Sequence, residues 1–204
     1  PPMLTALTLA NFKPFSTPQR IDLAPLTLLT GPNGSGKSSI LHALLYLRAL
    51  VTHGTPDVDR ITVAGSVIEL GGFSRLVHRH ESHRAIVLRA ELTTPRSLER
   101  ATHSLERFPF PDLDDDVCSA WIELTVRHRI TPAFRGAVID RVVIGVNDAT
   151  EPLVWLEAGA SLAEGEPILA RVNRSSGIWL QPGFLADFIH VDLSAAGATY
   201  YCEI

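Results

Sequence analysis

The chain has 204 residues, of which 46% are hydrophobic and 20% are charged, which is typical of one folded domain or two very small ones and excludes a disordered tail or a fibrous repeat. With 18 basic and 22 acidic residues the formal net charge is −4, so the chain as a whole does not attract phosphate polymers, and nucleic-acid binding would need a local basic patch. No apolar run reaches the ~18 residues of a membrane-spanning helix and no signal-peptide pattern is present, so we expect a cytoplasmic protein with no membrane partner.

The first elements predicted along the chain are strands. Leu4–Asn11 alternates apolar residues with Thr, which is the two-residue period of a half-buried strand, and Ile21–Ala24 predicts a second strand after a proline-containing turn. Leu26–Thr30 is an almost uninterrupted apolar run, which is typical of a central strand covered on both faces. Ser38–Leu50 has apolar residues three and four apart without Gly or Pro, and this spacing predicts an amphipathic helix.

The rest of the chain predicts strand after strand, separated by turn residues. The predicted strands are Ile61–Leu70, Ala85–Thr93, Trp121–Arg129, Ala137–Val146, Leu153–Glu157 and Ile168–Val172. This order favours an antiparallel meander. Between the second and third of these strands, Ser97–Phe108 repeats Ser-Leu-Glu-Arg with a seven-residue spacing, which favours a short surface helix.

A phosphate-binding pattern lies between the apolar run and the predicted helix. The residues that fit G-x-x-x-x-G-K-[ST] are Gly31, Pro32, Asn33, Gly34, Ser35, Gly36, Lys37 and Ser38. Glycines let successive backbone N–H groups converge on an anion, and the helix that follows adds the positive end of its dipole. By composition alone the pattern would arise in roughly one such chain in a thousand.

The same pattern assigns individual roles in binding ATP and Mg²⁺. Lys37 supplies a mobile charge to the β- and γ-phosphates, and the Ser38 hydroxyl completes the coordination of Mg²⁺. Ser39 contacts the α-phosphate through its N–H or its hydroxyl. The alternative is a glycine turn that precedes a helix by chance. We therefore expect an α/β P-loop NTPase fold, with a P-loop lobe over residues 3–95 and a β-rich lobe of the same unit over residues 96–204.

The N-terminal part resembles a particular class of P-loop ATPase. Asn11-Phe12-Lys13 ends the first strand, and Gly31 to Leu41 reads GPNGSGKSSIL; together they resemble the N-terminal lobe of the ABC-type heads of SMC, RecF and OLD-like ATPases. The stretch Leu70 to Glu81 is similar to a segment of bacterial AAA-type ATPases with such heads, several of which are linked to anti-phage defence. The resemblance covers about the first 90 residues.

The resemblance implies partners and a second basic residue at the nucleotide. Heads of this class dimerise around ATP, so it implies a partner that is a second copy or a homologous head. Lys13 falls where the class often has a basic residue that reaches toward the phosphates, while the alternative is an exposed loop lysine. Asn33 matches the class Asn of the loop.

Heads of this class carry two further motifs downstream of the P-loop. A run of apolar residues ending in Asp-Glu would hold Mg²⁺ and polarise the attacking water, but Asp140 is followed by Arg and Asp192 by Leu. Leu193–Gly197 resembles the LSGGQ signature only faintly, and a tight turn is the alternative. The catalytic residues thus stay unassigned, and we expect an incomplete head whose other half lies further along a longer protein or on a partner protein.

Three other groups of residues bear on function. Gln181 is the only Gln after the P-loop and so the only candidate for the Gln that senses Mg²⁺ in such heads, the alternative being a surface amide. A basic patch for DNA or RNA could form from Arg75, Arg79, Arg84 and Arg89; the alternatives are a solvated or internally paired loop, and a zinc site at the neighbouring histidines. Cys118 and Cys202 lack zinc-ligand spacing and are expected to be inert.

Three functions follow as hypotheses. The first is an SMC- or RecF-like head that binds ATP·Mg²⁺ and hydrolyses ATP on dimerisation, in a DNA-related or defence process. The second is a small P-loop kinase or nucleotide hydrolase in which Asp140 or Asp192 holds Mg²⁺, although such kinases alternate strand and helix. The third is a scaffold that senses nucleotide without hydrolysing it.

Overall fold

A mixed β-sheet and one long helix form the described part of the chain. The computed structural model describes residues 3–54, 56–93, 119–132, 135–146, 152, 154–157, 168–172 and 200–203. The helices are α1 (Lys37–His53), α2 (Gly72–Leu76) and a 3-10 turn at His78–His80. The strands are β1 (Met3–Ala10), β2 (Gln19–Asp22), β3 (Arg60–Val63), β4 (Ser66–Glu69), β5 (Ile86–Thr93), β6 (Ser119–Ile130), β7 (Arg135–Val146), β8 (Val154–Glu157), β9 (Ile168–Val172) and β10 (Tyr200–Glu203).

Eight of these strands make one sheet in the order β10-β9-β8-β7-β6-β5-β1-β2. Neighbours from β2 to β9 pair antiparallel, and β9 pairs with β10 in parallel. The run from β5 to β9 is the predicted antiparallel meander, which is confirmed. None of the helices in the described ranges is long and apolar enough to span a membrane.

The hydrophobic core joins one face of the sheet to α1. Inward positions of adjacent strands lie side by side in register, as Leu9 with Leu88 and Leu88 with Leu124. The same cluster includes buried residues of α1, among them Ala43, Tyr46 and Leu50. The helix predicted from its apolar spacing is thus confirmed, and it extends one residue earlier and three residues later than predicted.

The predicted strand Ile61–Leu70 is two strands. β3 and β4 form a separate antiparallel hairpin, in which Val63 pairs with Ser66. Ala64 and Gly65 at the turn both have positive φ, 48° and 81°, which is the backbone of the tight turn that suits the twist of two paired strands. The single-strand prediction was wrong because an Ala-Gly dipeptide is a weaker turn signal than Asn-Gly.

The prediction of a covered central strand at Leu26–Thr30 was also wrong. These residues have no regular secondary structure, and the side chains of Leu26 and Leu28 are 79% and 78% exposed. The Thr27 hydroxyl accepts a hydrogen bond from the Ala24 N–H at 2.9 Å, which bends the chain at the start of the run. A strand needs a neighbour for its N–H and C=O groups, and no strand of the described ranges pairs with this run. The predicted helix at Ser97–Phe108 lies outside the described residues.

Candidate functional site

The phosphate-binding pattern forms a glycine-rich turn directly before α1. Gly34 and Gly36 have φ values of 83° and 93°, which place their backbones in the left-handed region. A Cβ on Gly34 would meet nothing within 4 Å, whereas a Cβ on Gly36 would lie 2.7 Å from Cζ of Phe15. Gly36 is therefore required by both its backbone conformation and a close neighbour.

The N-terminus of α1 is open to an anion. Its first residue is Lys37, it has no side-chain cap and it has no acidic residue in the first turn. Helix N-termini expose N–H groups without intrahelical partners and carry the positive end of the helix dipole. Ser38 is exposed and Ser39 is half-buried at this end.

The side chain of Lys37 folds back over the glycine-rich turn. Its Nζ donates hydrogen bonds to the carbonyl oxygens of Gly31 and Pro32, both at 2.7 Å. The ammonium group thus lies over the turn.

A second turn, Asn11–Phe15, packs against the first. Phe12 and Phe15 exchange backbone hydrogen bonds of 3.0 and 2.9 Å. Phe12 is fully buried and stacks on Tyr46 of α1 with a centroid distance of 6.2 Å. Since Phe15 lies against Gly36, this turn brings Lys13 beside the start of α1.

The segment Leu76–His78, which begins at the last residue of α2, is hydrogen-bonded to this second turn, and we call this contact the clasp. The Lys13 N–H donates to the carbonyl of Leu76 at 2.7 Å, and the His78 N–H donates to the carbonyl of Asn11 at 2.8 Å. His78 is buried, and its Nδ1 donates to the Lys13 carbonyl at 2.7 Å. Since a carbonyl oxygen can only accept, this contact places a proton on Nδ1 of His78. The backbone on both sides of Lys13 is therefore fixed.

The clasp also holds non-glycine residues in the left-handed region. Asn11 and Lys13 have φ values of 53° and 48°, and Arg79 and His80 have values of 55° and 59°. Such backbones cost on the order of 1 kcal/mol each and persist when surrounding contacts impose them. Asn11 and Lys13 lie in the Asn11–Phe15 turn, and Arg79 and His80 directly follow the Leu76–His78 segment.

The side chain of Lys13 ends at His42 of α1. Its Nζ makes a short contact with Nδ1 of His42. An ammonium group has donors only, so the imidazole nitrogen must accept, and His42 is neutral in this arrangement. Burial lowers the pKa of Lys13. The pKa of His42 is also lowered, first by burial and then by the charge of Lys13.

The four arginines predicted as a basic patch have different surroundings. Arg75 and Arg79 are exposed. Arg84 is hydrogen-bonded to Glu81, which lowers the pKa of that carboxyl group. Arg89 lies over the Trp121 ring, 3.9 Å from its centroid, and pairs with Glu91 at 3.5 Å. Arg75 and Arg79 are therefore the exposed members of the patch, whereas Arg84 and Arg89 are half-buried and paired.

His78 and His80, which lie among these arginines, have different hydrogen-bond partners. Nδ1 of His80 donates to the carbonyl of Ser74 at 2.8 Å, while His78 bonds to Lys13 as described. Within the described ranges no group of three His, Cys, Asp or Glu residues could hold a metal ion.

Asp140, the candidate Mg²⁺ ligand that lies within the described residues, is paired with two arginines. Asp140 on β7 pairs with Arg127 at 3.1 Å and makes a closer contact with Arg129. A carboxylate held by two guanidinium groups is poorly suited to a Mg²⁺ shell, because both arginines would have to leave it. Gln181, Asp192 and Leu193–Gly197 lie outside the described residues.

Sequence reasoning missed three residues of this site: Phe15, His42 and His78. Phe15 touches Gly36, His42 holds the Lys13 ammonium, and His78 holds the Lys13 carbonyl. One signal was present for His42, which lies one helical turn after Ser38 and hence on the same side of α1. The other two depend on contacts between segments that are distant in sequence.

Comparisons with known proteins match the N-terminal region. Residues 6–80 match the family model of an AAA domain. A stretch of 56 residues, 27% of this chain, is 43% identical to the chromosome partition protein Smc of Synechococcus sp. (strain ATCC 27144 / PCC 6301 / SAUG 1402/1), of which it covers 5%. The predicted resemblance is confirmed for the N-terminal region, which is similar to an AAA domain and, over a shorter stretch, to an Smc protein.

The packing of Phe15 on Gly36 gives a first prediction. Gly36→Ala adds strain at φ 93° and a methyl group 2.7 Å from Phe15, whereas Gly34→Ala adds similar strain at φ 83° with nothing within 4 Å. We expect Gly34→Ala to lower the free energy of unfolding by about 1–2 kcal/mol. Gly36→Ala should lower it by a further ~1–3 kcal/mol, because the Asn11–Phe15 turn must move.

Denaturant unfolding of the two variants measures the difference. Gly34→Ala is the matched control, since it changes the same loop in the same backbone region. Equal losses for the two variants would mean that Phe15 yields without cost and that the two turns are not packed as described.

Proposed function

We propose that the chain binds ATP·Mg²⁺ at the Gly31–Ser38 loop and forms part of an SMC-like ATPase head. The observation that carries the proposal is an uncapped helix N-terminus directly after a glycine-rich turn, with Lys37 folded over that turn and Lys13, the other lysine of the chain, held at His42 of the same helix. The residues assigned to the nucleotide are Lys13, Gly31, Pro32, Asn33, Gly34, Ser35, Gly36, Lys37, Ser38 and Ser39.

The loop suits a polyphosphate by its charge. Phosphate oxygens accept hydrogen bonds from backbone N–H groups at the start of a helix, where the dipole favours negative charge. Lys37 exchanges the carbonyls of Gly31 and Pro32 for the β- and γ-phosphates, and Lys13 supplies a second ammonium beside the same helix end. Charge-assisted hydrogen bonds are roughly twice as strong as neutral ones, which favours both exchanges.

Mg²⁺ would be held with the nucleotide by Ser38. A hydroxyl oxygen is a suitable ligand for this hard cation, which keeps several waters and takes its other ligands from phosphate. The exposed position of Ser38 at the start of α1 leaves room for such a hydrated ion. Gln181 is the proposed sensor of Mg²⁺ from elsewhere in the chain. Bound Mg²⁺ would neutralise charge on the β- and γ-phosphates.

ATP hydrolysis would require residues from another segment or another protein. The sequence contains no Asp-Glu pair, and Asp140 is held by two arginines. Leu26–Thr30 is largely apolar, its Leu26 and Leu28 are exposed, and no strand of the described ranges pairs with it, so it can accept a neighbouring strand. We propose that the other half of the head supplies that strand with the catalytic carboxylates, and that two heads close around ATP.

We place the activity in a DNA-related or anti-phage defence process. The curated relative is by name a chromosome partition protein, which supports the first of these. The exposed Arg75 and Arg79 near the clasp could contact a nucleic-acid backbone held between two heads. The cytoplasm is the proposed location.

A nucleotide-sensing scaffold without hydrolysis is the second candidate. The paired state of Asp140 favours it over a small kinase, because the kinase hypothesis depends on Asp140 or Asp192 as the Mg²⁺ ligand. The antiparallel run from β5 to β9 also differs from the alternating strands and helices of such kinases. Turnover of ATP by the 204 residues alone would favour the kinase hypothesis again.

Removal of the Lys37 ammonium tests the proposed function. Lys37→Ala should weaken Mg·ATP binding by about ten-fold to more than a hundred-fold, which corresponds to a charge-assisted contact of roughly 1.5–3 kcal/mol. Arg48→Ala is the matched control, because it removes one positive charge from an exposed position of the same helix. Calorimetric titration of both variants measures the affinities. The proposal fails if Lys37→Ala binds Mg·ATP as tightly as Arg48→Ala.

The exposed apolar run gives a separate prediction. Since Leu26 and Leu28 are 79% and 78% exposed, Leu26→Thr/Leu28→Thr should leave the melting temperature nearly unchanged and reduce self-association and binding of a hydrophobic dye. Val67→Thr, at a position that is 62% exposed on the β3–β4 hairpin, is the control and should leave self-association as it is. A fall of several degrees in the melting temperature of the double variant would show that the run is buried instead.

A further inference from the structure

The two lysines beside the glycine-rich turn have different partners, and the difference has a chemical consequence. Lys37 donates to two carbonyl oxygens, which do not titrate. Lys13 donates to Nδ1 of His42, which is a titratable group. A ligand that draws Lys13 away therefore uncovers a basic nitrogen.

We propose that His42 is a positioning residue for Lys13, and that it takes up a proton when a nucleotide phosphate draws the Lys13 ammonium away. The proposal rests on the proposed function, since it requires phosphate at the Gly31–Ser38 loop. It adds a coupling between nucleotide binding and pH.

The position of Lys13 depends on few degrees of freedom. Its N–H and C=O are both held, by Leu76 and His78, so only its side chain can move. The side chain starts from a turn whose Phe15 lies on Gly36 and ends at His42 on the second turn of α1. Without the contact to His42, a long lysine side chain would sample many rotamers. His42 thus keeps the ammonium near the helix end before the ligand arrives.

The proton follows from the charges that surround His42. Within the described residues Lys13, from the Asn11–Phe15 turn, is the charge that acts on the His42 imidazole. On α1 itself the first turn contains no acidic residue. The cationic Lys37 lies on the glycine-rich turn, and His78 in the clasp binds the Lys13 carbonyl. The environment therefore favours the neutral form of His42 while Lys13 is bonded to it.

Bound phosphate reverses this balance. The β- and γ-phosphates bring several negative charges to the helix end, and the Lys13 ammonium turns from His42 toward them. His42 then loses a neighbouring positive charge and gains neighbouring negative charges, and both changes favour its protonated form. By linkage, a site that takes up protons on binding binds its ligand more tightly at lower pH.

The stability of the folded chain without nucleotide should depend on pH in the opposite direction. The pKa of His42 is lowered in the folded chain by burial and by Lys13, so the unfolded chain binds the proton more readily. Stability contributed by neutral His42 is present above its ordinary pKa of about 6.5 and is lost as the pH falls below it. The melting temperature without nucleotide should fall over this range more in the wild-type chain than in His42→Gln.

Three variants separate positioning from titration. Glutamine can accept a hydrogen bond from Lys13 but does not titrate, so His42→Gln should keep the wild-type affinity for Mg·ATP at pH 8 and lose its pH dependence. Alanine can do neither, so His42→Ala should bind more weakly at both pH values. His53→Gln, in the last turn of the same helix, is the matched control and should behave as the wild type.

The measurement is calorimetric titration with Mg·ATP at pH 6, 7 and 8, in two buffers of different ionisation enthalpy. At pH 7 we expect the wild type and His53→Gln to take up a fraction of a proton per nucleotide more than His42→Gln does. Between pH 8 and pH 6 their affinity for Mg·ATP should rise about three- to ten-fold more than that of His42→Gln. Protonation of ATP itself cancels in this comparison, because all variants bind the same ligand.

The outcomes distinguish the two proposals. Binding with the same proton uptake in the wild type and His42→Gln would overturn the role of His42 and leave the proposed function standing. Equal affinity of His42→Ala and His42→Gln at pH 8 would overturn the positioning role. The absence of binding in every variant and in the wild type would overturn the proposed function itself, and with it the role of His42.

Discussion

The hydrogen-bonded clasp between the Asn11–Phe15 turn and the Leu76–His78 segment is the constraint on which the site depends. It consists of two backbone hydrogen bonds and one hydrogen bond from the buried His78 imidazole. Phe12, in the same turn, stacks on Tyr46. Because such bonds are directional, they hold Lys13 in a left-handed backbone that it would otherwise leave. The same turn carries Phe15 onto Gly36, so the two lysines are placed by one packed unit and not by two independent loops.

Most regular elements could be predicted because their pattern is local. The two-residue alternation of β1 and the three-and-four spacing of α1 each reflect a single buried face, and both were predicted within a few residues. Leu26–Thr30 was predicted wrongly for the opposite reason. An apolar run says that a strand would be stable between two neighbours, but not whether neighbours are present, and here the run is exposed.

The candidate site likewise has a part that local sequence predicts and a part that depends on distant segments. The glycine-rich turn follows from a short motif whose residues act on each other within eight positions, and so does the placement of Lys37. The arrangement around Lys13 joins the Asn11–Phe15 turn, α1 and the Leu76–His78 segment, and the two residues of the His78–Lys13 bond are 65 positions apart. Arg84 and Arg89 show that the sequence alone does not reveal which charged residues are paired. Counting basic residues grouped them in one patch, whereas Glu81, Glu91 and Trp121 engage them separately.

The partners that both lysines have within the chain limit how tightly the loop can bind phosphate. Lys37 already has two carbonyl partners and Lys13 has an imidazole, so phosphate does not meet unpaired ammonium groups. Each lysine exchanges neutral acceptors for charged ones, and the gain is the difference between the two kinds of hydrogen bond, not the whole of the second. In return, both side chains are already ordered near the ligand, so less conformational entropy is lost on binding. The exchange at Lys13 differs from that at Lys37 only in what is left behind. A carbonyl left without a lysine is solvated again, whereas an imidazole left beside phosphate can be protonated, and this makes His42 the point where pH enters.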